Sequence, residues 1–507
     1  MRWIDNLLNR VTMYALMTYY LIALAVAGIA LAFLNILPYN PWLLIAGIAV
    51  LYGSTKILNP LFGRIFKIRP NAESAAITGL ILALIVGPAF AWQDLPMFVL
   101  IAAVAMLSKY VLVFRRRHLF NPAALAVVIS AIIFGTGASW WVGSLPLLPF
   151  VVIGGLLFLR KMRWFHLTLS FLIVYIGAGT ALYAYQNPGA NLVRFASNTL
   201  LYSPMLFFSL VMLTEPLTMP SGRKHRMVYG ALIAVLIAAI PFITSIPYTL
   251  EFSLLLGNLA GWALFGNTRR FLKLVGKIEV AKNSALFEFI PNAQLAYSPG
   301  QFLLWSLPHP KADLRGHRRY FSIASSPTEN RVSIATKFSE KSSTFKTELK
   351  KLPAGSEIMA ANLDGDFTLP KNPEQPLVFI AGGIGITPFR SMVKYLLDTK
   401  TSRSITLFYS NNSAEEIAFK DLFDQAKQTF GMKTVYTLTD PKSIPANWQG
   451  KTGFINAEMI KNEVPDFTRA LYYISGPDPM VRAMKKTLLK IGIPRGKIKT
   501  DYFPGYV

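Results

Sequence analysis

The sequence predicts a multidomain chain: a polytopic α-helical membrane bundle of about ten helices, then an antiparallel β-barrel, then an α/β domain built on a parallel sheet. Three observations predict it. Apolar stretches near the roughly 20 residues that span a bilayer recur up to about residue 266. Lys and Arg fall in every second connection between those stretches. From about residue 274 charged and polar residues are interspersed normally, with short alternating strands first and a strand–helix alternation from about residue 374.

Composition agrees with this division. Of 507 residues, 53 % are apolar and 15 % charged, against a usual charged share of about 25 %. A net charge of +25 would suit a nucleic-acid partner. The basic residues of the first half, however, lie in short clusters between apolar segments, which is a topology signal, and no nucleic acid is expected. The chain has no cysteine, which excludes disulfides, cysteine-ligated zinc and thiolate-held iron–sulfur clusters. A metal redox centre would need histidine, of which there are five, and no metal site is expected.

The opening MRWIDNLLNRVTMY enters a long apolar run without a small-residue cleavage site, so it reads as a retained first helix in place of a signal peptide. Within residues 1–268 the apolar runs fall at about 13–36, 42–60, 73–92, 95–114, 121–136, 145–161, 164–185, 197–213, 227–247 and 249–266. The basic clusters are Arg2 and Arg10; Arg64, Lys67 and Arg69; Arg115, Arg116 and Arg117; Arg160, Lys161 and Arg163; Arg223, Lys224 and Arg226; and Arg269 with Arg270. The intervening connections hold almost only Arg194. By the positive-inside rule both termini face the cytoplasm, and an even helix count agrees. The expectation is a multi-pass protein of the inner, cytoplasmic membrane, surrounded by lipid.

Three segments put polar residues and helix breakers at the ends of apolar runs: Asn71-Ala72-Glu73-Ser74 with Thr78-Gly79, Phe120-Asn121-Pro122-Ala123, and Leu213-Thr214-Glu215-Pro216-Leu217-Thr218. Each reads either as a helix cap at the interface or as a break at membrane depth, where half-helix N-termini favour anionic groups.

Beyond residue 274, the strings KLVGKIEVAKNSALFEFIP, Pro299-Gly300-Gln301-Phe302 and HRRYFSIASSP fit a small antiparallel barrel over 274–371. Over 374–507, LVFIAGG, a helix from Pro388, ITLFYS, a helix near 415–429, TVYTL and LYYISGP before another helix alternate as a parallel doubly wound sheet does. Gly382-Gly383-Ile384-Gly385-Ile386-Thr387-Pro388 follows an apolar strand and opens a helix, a pattern that lets backbone approach a pyrophosphate.

Two family resemblances rest on these strings. RPNAESAAITGLILALI, HLFNPAALAVVI and FSLVMLTEPLTMP resemble, in the same order, segments of the membrane flavin subunits of the sodium-pumping NADH:quinone reductase and the Rnf complex, over roughly residues 15–266. That resemblance implies a ten-helix fold with internal inverted repeats that binds flavin between helices and passes electrons across the membrane. Those subunits attach FMN through a threonine in a segment like D-G-x-S-G-A-T. After Asn121-Pro122 this chain has only GTGASWW, so the expectation is a non-covalent FMN or riboflavin near Thr78, Asn121, Thr214 and Glu215.

The barrel followed by the α/β domain is similar to the ferredoxin–NADP reductase family over about 274–506. Arg319-Tyr320-Phe321-Ser322 matches its R-x-[YF]-[ST]. The resemblance implies a guanidinium for the FAD pyrophosphate, an aromatic ring for the isoalloxazine, and Ser322 as a catalytic hydroxyl near the flavin N5. Lys341-Ser342-Ser343-Thr344 resembles the stretch that holds the same pyrophosphate, with Lys341, Ser343 and Thr344 as contacts. The glycine loop, with Gly382, Gly383, Gly385, Thr387 and Pro388, and Ser475-Gly476-Pro477-Asp478 are implied to bind NADH or NADPH. Ser475 stands where the family often has a catalytic cysteine, which implies weaker nicotinamide positioning or hydride transfer. Phe503, in Tyr502-Phe503-Pro504-Gly505-Tyr506, stands where relatives cover the flavin. Asn411, Asn412, Glu415, Glu416 and Asp440 follow the strands near a 2′-phosphate site, and the acidic ones disfavour a phosphate, which leans toward NADH.

The combined expectation is an FAD-dependent NAD(P)H oxidoreductase that passes electrons to a membrane flavin and on to a quinone or extracytoplasmic acceptor, with or without a partner electron-carrier subunit. Two alternatives stand beside it. A haem-containing transmembrane reductase needs paired mid-membrane histidines, whereas His118, His166 and His225 lie at the ends of apolar runs and His309 and His317 in the barrel. A redox-coupled ion transporter would use Glu73 or Glu215.

Overall fold

The computed structural model describes residues 4, 7–8, 11–68, 70–89, 91–114, 117–246, 248–265, 270–309, 312–313, 316–340 and 342–501. The chain forms two compact units, Met1–Asn267 and Thr268–Val507.

Each of the ten apolar runs of the first unit contains helix. They are α1 (Met13–Phe33), α2 (Pro41–Ile65), α3 (Ala72–Ile85), α4 (Leu95–Val111), α5 (Pro122–Phe134), α6 (Leu148–Met162), α7 (Phe165–Gln186), α8 (Leu192–Leu201), α9 (Arg223–Ile243) and α10 (Thr249–Phe265). Between α8 and α9, Met205–Phe207 leads into a π-helical stretch, Phe208–Met212. Among the described residues six helices are long and apolar enough to cross a membrane, or seven if the pair bent by 63° near residue 203 counts as one.

Of the ten expected spanning helices, α3, α5 and α10 have only 14, 13 and 17 residues and fall short of that length criterion. At about 1.5 Å per residue the first two reach roughly 20 Å, short of the ~30 Å hydrocarbon core. Their ends explain this. Asn71 and Asn121 cap α3 and α5 with side-chain oxygens that accept from amides of the first turn, and Gly135 stops α5 in a left-handed conformation. Both are largely apolar, and α3 along most of its length and α5 over its first seven residues are buried, the mark of segments enclosed by other helices. Gly79 makes the enclosure possible: a Cβ there would lie 3.0 Å from Tyr52 Cα on α2. The longer helices instead expose Ile57, Ile153 and Ile173, a pattern compatible with membrane association.

The second unit contains two sheets. Strands β1 (Arg270–Ala281), β2 (Ser284–Pro291), β3 (Phe302–Ser306), β4 (Arg318–Ser322), β5 (Val332–Lys337) and β6 (Glu357–Asp364) form an antiparallel sheet in the order β4-β3-β6-β1-β2-β5. The expected barrel is thus a half-barrel. Its end strands β4 and β5 do not pair, and the chain between them bridges the gap through Ala324 N, which donates to Ser333 O at 2.8 Å. Leu272, Leu274, Phe287, Phe289, Trp305 and Ile358 fill its core, and α11 (Thr344–Lys351) packs Phe345 and Leu349 into it.

Strands β7 (Leu377–Gly382), β8 (Ile405–Asn411), β9 (Lys433–Leu438), β10 (Lys451–Thr452), β11 (Leu471–Ser475) and β12 (Ile498–Asp501) form a parallel sheet in the order β10-β9-β8-β7-β11-β12. The helices α12 (Thr387–Asp398), α13 (Lys420–Phe430), α14 (Ala457–Glu463) and α15 (Asp478–Lys490) connect them. Alternate residues of β7 enter two different cores, Leu377, Phe379 and Ala381 on one face and Val378 and Ile380 on the other. Such a strand must be apolar throughout, as LVFIAG is. The chain runs outward from β7 to β10 and then returns to β11 on the other side of β7, so the topological switch point lies between β7 and β11.

Candidate functional site

At the carboxyl ends of β7 and β11 the two glycine-bearing turns meet. A Cβ on Gly385 would lie 2.6 Å from both Gly476 Cα and Ser475 O, so only glycine admits this backbone-to-backbone approach. Gly383 takes the left-handed φ of +51° in the turn, Gly382 closes β7, and Thr387 with Pro388 opens α12, where proline loses no hydrogen bond. Pro477 caps α15. Asp478 is held within its own helix, its carboxylate accepting from Arg482 Nε at 2.7 Å.

Ser475 is buried at the end of β11, in register with Ala381 on one side and Asp501 on the other. Asp501 accepts from Ser322 Oγ at 2.8 Å, with both side chains 6 % exposed. The last residue of β4 in the antiparallel sheet thus meets the last residue of β12 in the parallel one. The sequence reading missed Asp501, which stands 179 residues from its partner. The available signal was a lone carboxylate ending the last strand, just before the aromatic tail.

Strand alternation separates the two aromatics of the RYFS string. Phe321 shares a face with Arg319 and packs 5.9 Å from Phe345, whereas half-buried Tyr320 lies edge-on to Phe302 at 5.4 Å. Only one of them can therefore serve the guanidinium's side. Arg319 lies over the Phe345 ring at 5.5 Å and donates to Asp313 Oδ1 at 3.0 Å and to Gly316 O at 2.9 Å. The same Asp313 carboxylate accepts from Thr344 N at 3.2 Å, at the start of α11, and Thr344 Oγ1 accepts from Asp313 N at 3.0 Å. His309 Nδ1 lies 2.8 Å from Leu307 O and so carries the proton, leaving Nε2 to accept from Thr344 Oγ1 at 2.9 Å. Ser343 caps the helix, accepting from Lys346 N. Lys341 and Phe503 lie outside the described residues.

At the end of β8, Asn411 is 4 % exposed, and among the described residues neither of its amide atoms makes a hydrogen bond of good geometry, the Tyr409 hydroxyl being the polar group beside it. Glu415 pairs with Lys282 and Glu416 with Lys337, each at 2.6 Å. The Ser443 hydroxyl holds the Asp440 carboxyl below the usual carboxylate range.

In the first unit the three broken segments line one partly open cavity, with Thr78, Asn121, Thr214 and Glu215 all in its wall beside Met13 and Met17 of α1. Asn121 spends its side-chain oxygen on the Ala123 and Ala124 amides, so the cap reading and the cavity reading both apply to it. Thr214 donates to Leu210 O, and Glu215 accepts from Thr218 Oγ1 at 3.1 Å. The reading from sequence missed Lys109, buried behind this wall and hydrogen-bonded to Ser74 and Thr78. Among the histidines, His166 Nε2 accepts from Arg226 Nε at 3.1 Å.

Comparison with known proteins bears on the second unit. Residues 379–486 match the family described as the oxidoreductase NAD-binding domain. NADH-cytochrome b5 reductase 1 of Cryptococcus neoformans is 30 % identical over 242 residues, covering 44 % of this chain and 79 % of that one. Flavohemoprotein A of Dictyostelium discoideum is 26 % identical over 260 residues, and this chain spans 62 % of its length. The FAD/NAD-binding domain of a nitric oxide dioxygenase from Vibrio cholerae aligns at 21 % identity with a TM-score of 0.41, covering 46 % of this chain and 99 % of that one, and nothing further rests on that likeness.

Proposed function

Since the C-terminal unit of this chain belongs to the ferredoxin–NADP reductase-like family of FAD- and NADH-dependent oxidoreductases, of the cytochrome b5 reductase and flavohemoprotein type, we propose that the whole protein is a membrane-bound NADH oxidoreductase. It passes electrons through FAD to a flavin held in the helical bundle, and on to a quinone or an extracytoplasmic acceptor. The observation that carries the reductase part is the meeting of Ser322 with Asp501 beside Ser475 at the switch point of the parallel sheet.

The residues present fit both cofactors. Arg319 and the first amide of α11 already hold one anion between them, the Asp313 carboxylate, and the same donors suit a pyrophosphate. The contact of Gly385 with Gly476 and the buried Asn411 amide suit a dinucleotide crossing the carboxyl edge of the sheet. When bound, FAD supplies the change from two-electron to one-electron chemistry. The protein's part is to bind and orient: the Ser322 hydroxyl donates its proton to Asp501 and so turns its oxygen lone pairs away from that carboxylate, and the Ser475 hydroxyl stands where relatives often carry a thiol. Glu415 and Glu416 are ion-paired with Lys282 and Lys337, so the lean toward NADH rests on the absence of a free basic side chain in the string Asn411-Asn412-Ser413-Ala414-Glu415-Glu416.

The membrane part rests on the resemblance of residues 15–266 and on the convergence of three broken segments upon one cavity. A flavin inventory of the purified full chain tests both parts, with acid extraction and chromatography before and after anaerobic NADH. FAD with a second releasable flavin, both reduced by NADH faster than by NADPH, is the expected result. FAD alone would refute the membrane step, and absence of FAD would refute the whole reading.

A further inference from the structure

Lys109 on α4 is 8 % exposed, and its ammonium donates to Ser74 O at 2.9 Å, Ser74 Oγ at 3.0 Å and Thr78 Oγ1 at 2.8 Å, all on the first turns of α3. An ammonium has three donors and accepts nothing, so these bonds use its full capacity and settle the direction of both hydroxyls. Each must turn its own proton away from the lysine. The Thr78 proton goes to Ser74 O at 2.9 Å. Among the described residues the Ser74 hydroxyl donates to nothing, and Ser74 lines the cavity. A buried ammonium facing three neutral oxygens is costly unless negative charge lies nearby. Glu215 brings a carboxylate to the lining of the same cavity. The capped N-termini of α3 and α5 border the cavity through Ser74 and Ala123 and add positive partial charge to that lining. The lining thus combines a directed hydroxyl donor and two helix N-termini with one carboxylate acceptor.

We propose that this polarity is a binding site for the carbonyl- and imine-bearing edge of a flavin ring, in which Lys109, acting through the Ser74 hydroxyl, favours the reduced, negatively charged ring over the oxidised one. Lys109 is a positioning residue, since it stands behind the wall and not in it. The inference rests on the membrane-flavin reading above and adds to it the residue that tunes the cofactor. Neither the string LSKY nor the resemblance drew attention to it.

The test uses the full chain in detergent, with riboflavin and FMN as probes and quantities expressed per bound FAD. Binding of each probe and its midpoint potential are measured in wild type, Lys109→Gln and Lys109→Arg. The expected result is a tenfold or larger loss of preference for the reduced ring in Lys109→Gln, which lowers a two-electron potential by about 30 mV, with Lys109→Arg close to wild type. Unchanged affinity and potential in Lys109→Gln overturn the inference while leaving the membrane flavin standing. If Lys109→Gln does not fold, Ser74→Ala keeps the charge and removes the directed hydroxyl, so its affinity for reduced riboflavin is expected to fall severalfold, and an unchanged value overturns the proposal. Wild-type protein that takes up neither riboflavin nor FMN refutes the membrane-flavin reading itself, and this inference with it.

Discussion

Replacing Asp501 by Asn is the sharpest test of the reductase site. The bond from Ser322 Oγ is 2.8 Å long between side chains each 6 % exposed, so solvent does not screen it. A hydrogen bond to a charged acceptor contributes about 1.5–3 kcal/mol, and one between neutral groups about 0.5–1.5 kcal/mol. Asn can still accept at the same position, so the substitution removes the difference, about 1–2 kcal/mol. At about 1.4 kcal/mol per decade, flavin reduction should slow about 5- to 30-fold. The assay is anaerobic stopped-flow reduction by NADH, repeated with NADH deuterated at the transferred position so that slower hydride transfer is told apart from slower binding. Ser322→Ala should cost a similar factor, and the double variant little more than the larger single one, because the two groups act as a unit. Rates within twofold of wild type in both single variants, or fully additive losses, would refute a role for the pair.

Three further outcomes are expected. Asp313→Asn should tighten FAD binding to flavin-stripped protein by roughly tenfold, because Asp313 holds Arg319 and the Thr344 amide as a competing anion; weaker binding in equilibrium dialysis would instead make Asp313 a support for the site. Gly385→Ala should cost about 1–3 kcal/mol of stability and raise the KM for NADH, since its Cβ would meet backbone atoms at 2.6 Å, and an unchanged KM would show that the two turns need not touch. Lys433 bonds Glu463 and, with Lys451, holds its carboxyl below the ordinary glutamate range, so its contribution is present above about pH 4.3 and is lost as pH falls through the depressed value. For a largely surface pair this is at most about 1 kcal/mol. The urea midpoints of wild type and Glu463→Gln should differ at neutral pH and converge in acid, and a constant gap would refute the assignment.

Much of this architecture was legible in the chain. Hydropathy placed all ten apolar helical segments, and Asn71 and Asn121 marked ends that the structure uses as caps. LVFIAGG followed by Thr387-Pro388 marked a buried parallel strand feeding a helix, because continuous apolar residues, glycine and an N-terminal proline each have a local conformational cause. What hydropathy could not measure was helix length: α3 and α5 stop short of a span because of caps and enclosure, neither of which alters the average apolarity of a window. The half-barrel was likewise read as a barrel, since whether β4 and β5 pair depends on curvature accumulated over the whole sheet.

The sequence by itself determined local chemistry: where long apolar runs give way to polar segments, which turns need glycine, and which strings carry an arginine, a serine and a helix start in order. The tertiary structure alone decided which of these groups meet. Ser322 and Asp501 are separated by 179 residues and Lys109 lies 31 and 35 residues from Thr78 and Ser74, so no periodicity or spacing connects them. Hydrogen bonds reach only about 3 Å, and the partner of a buried polar group is therefore set by where the sheets and helices pack.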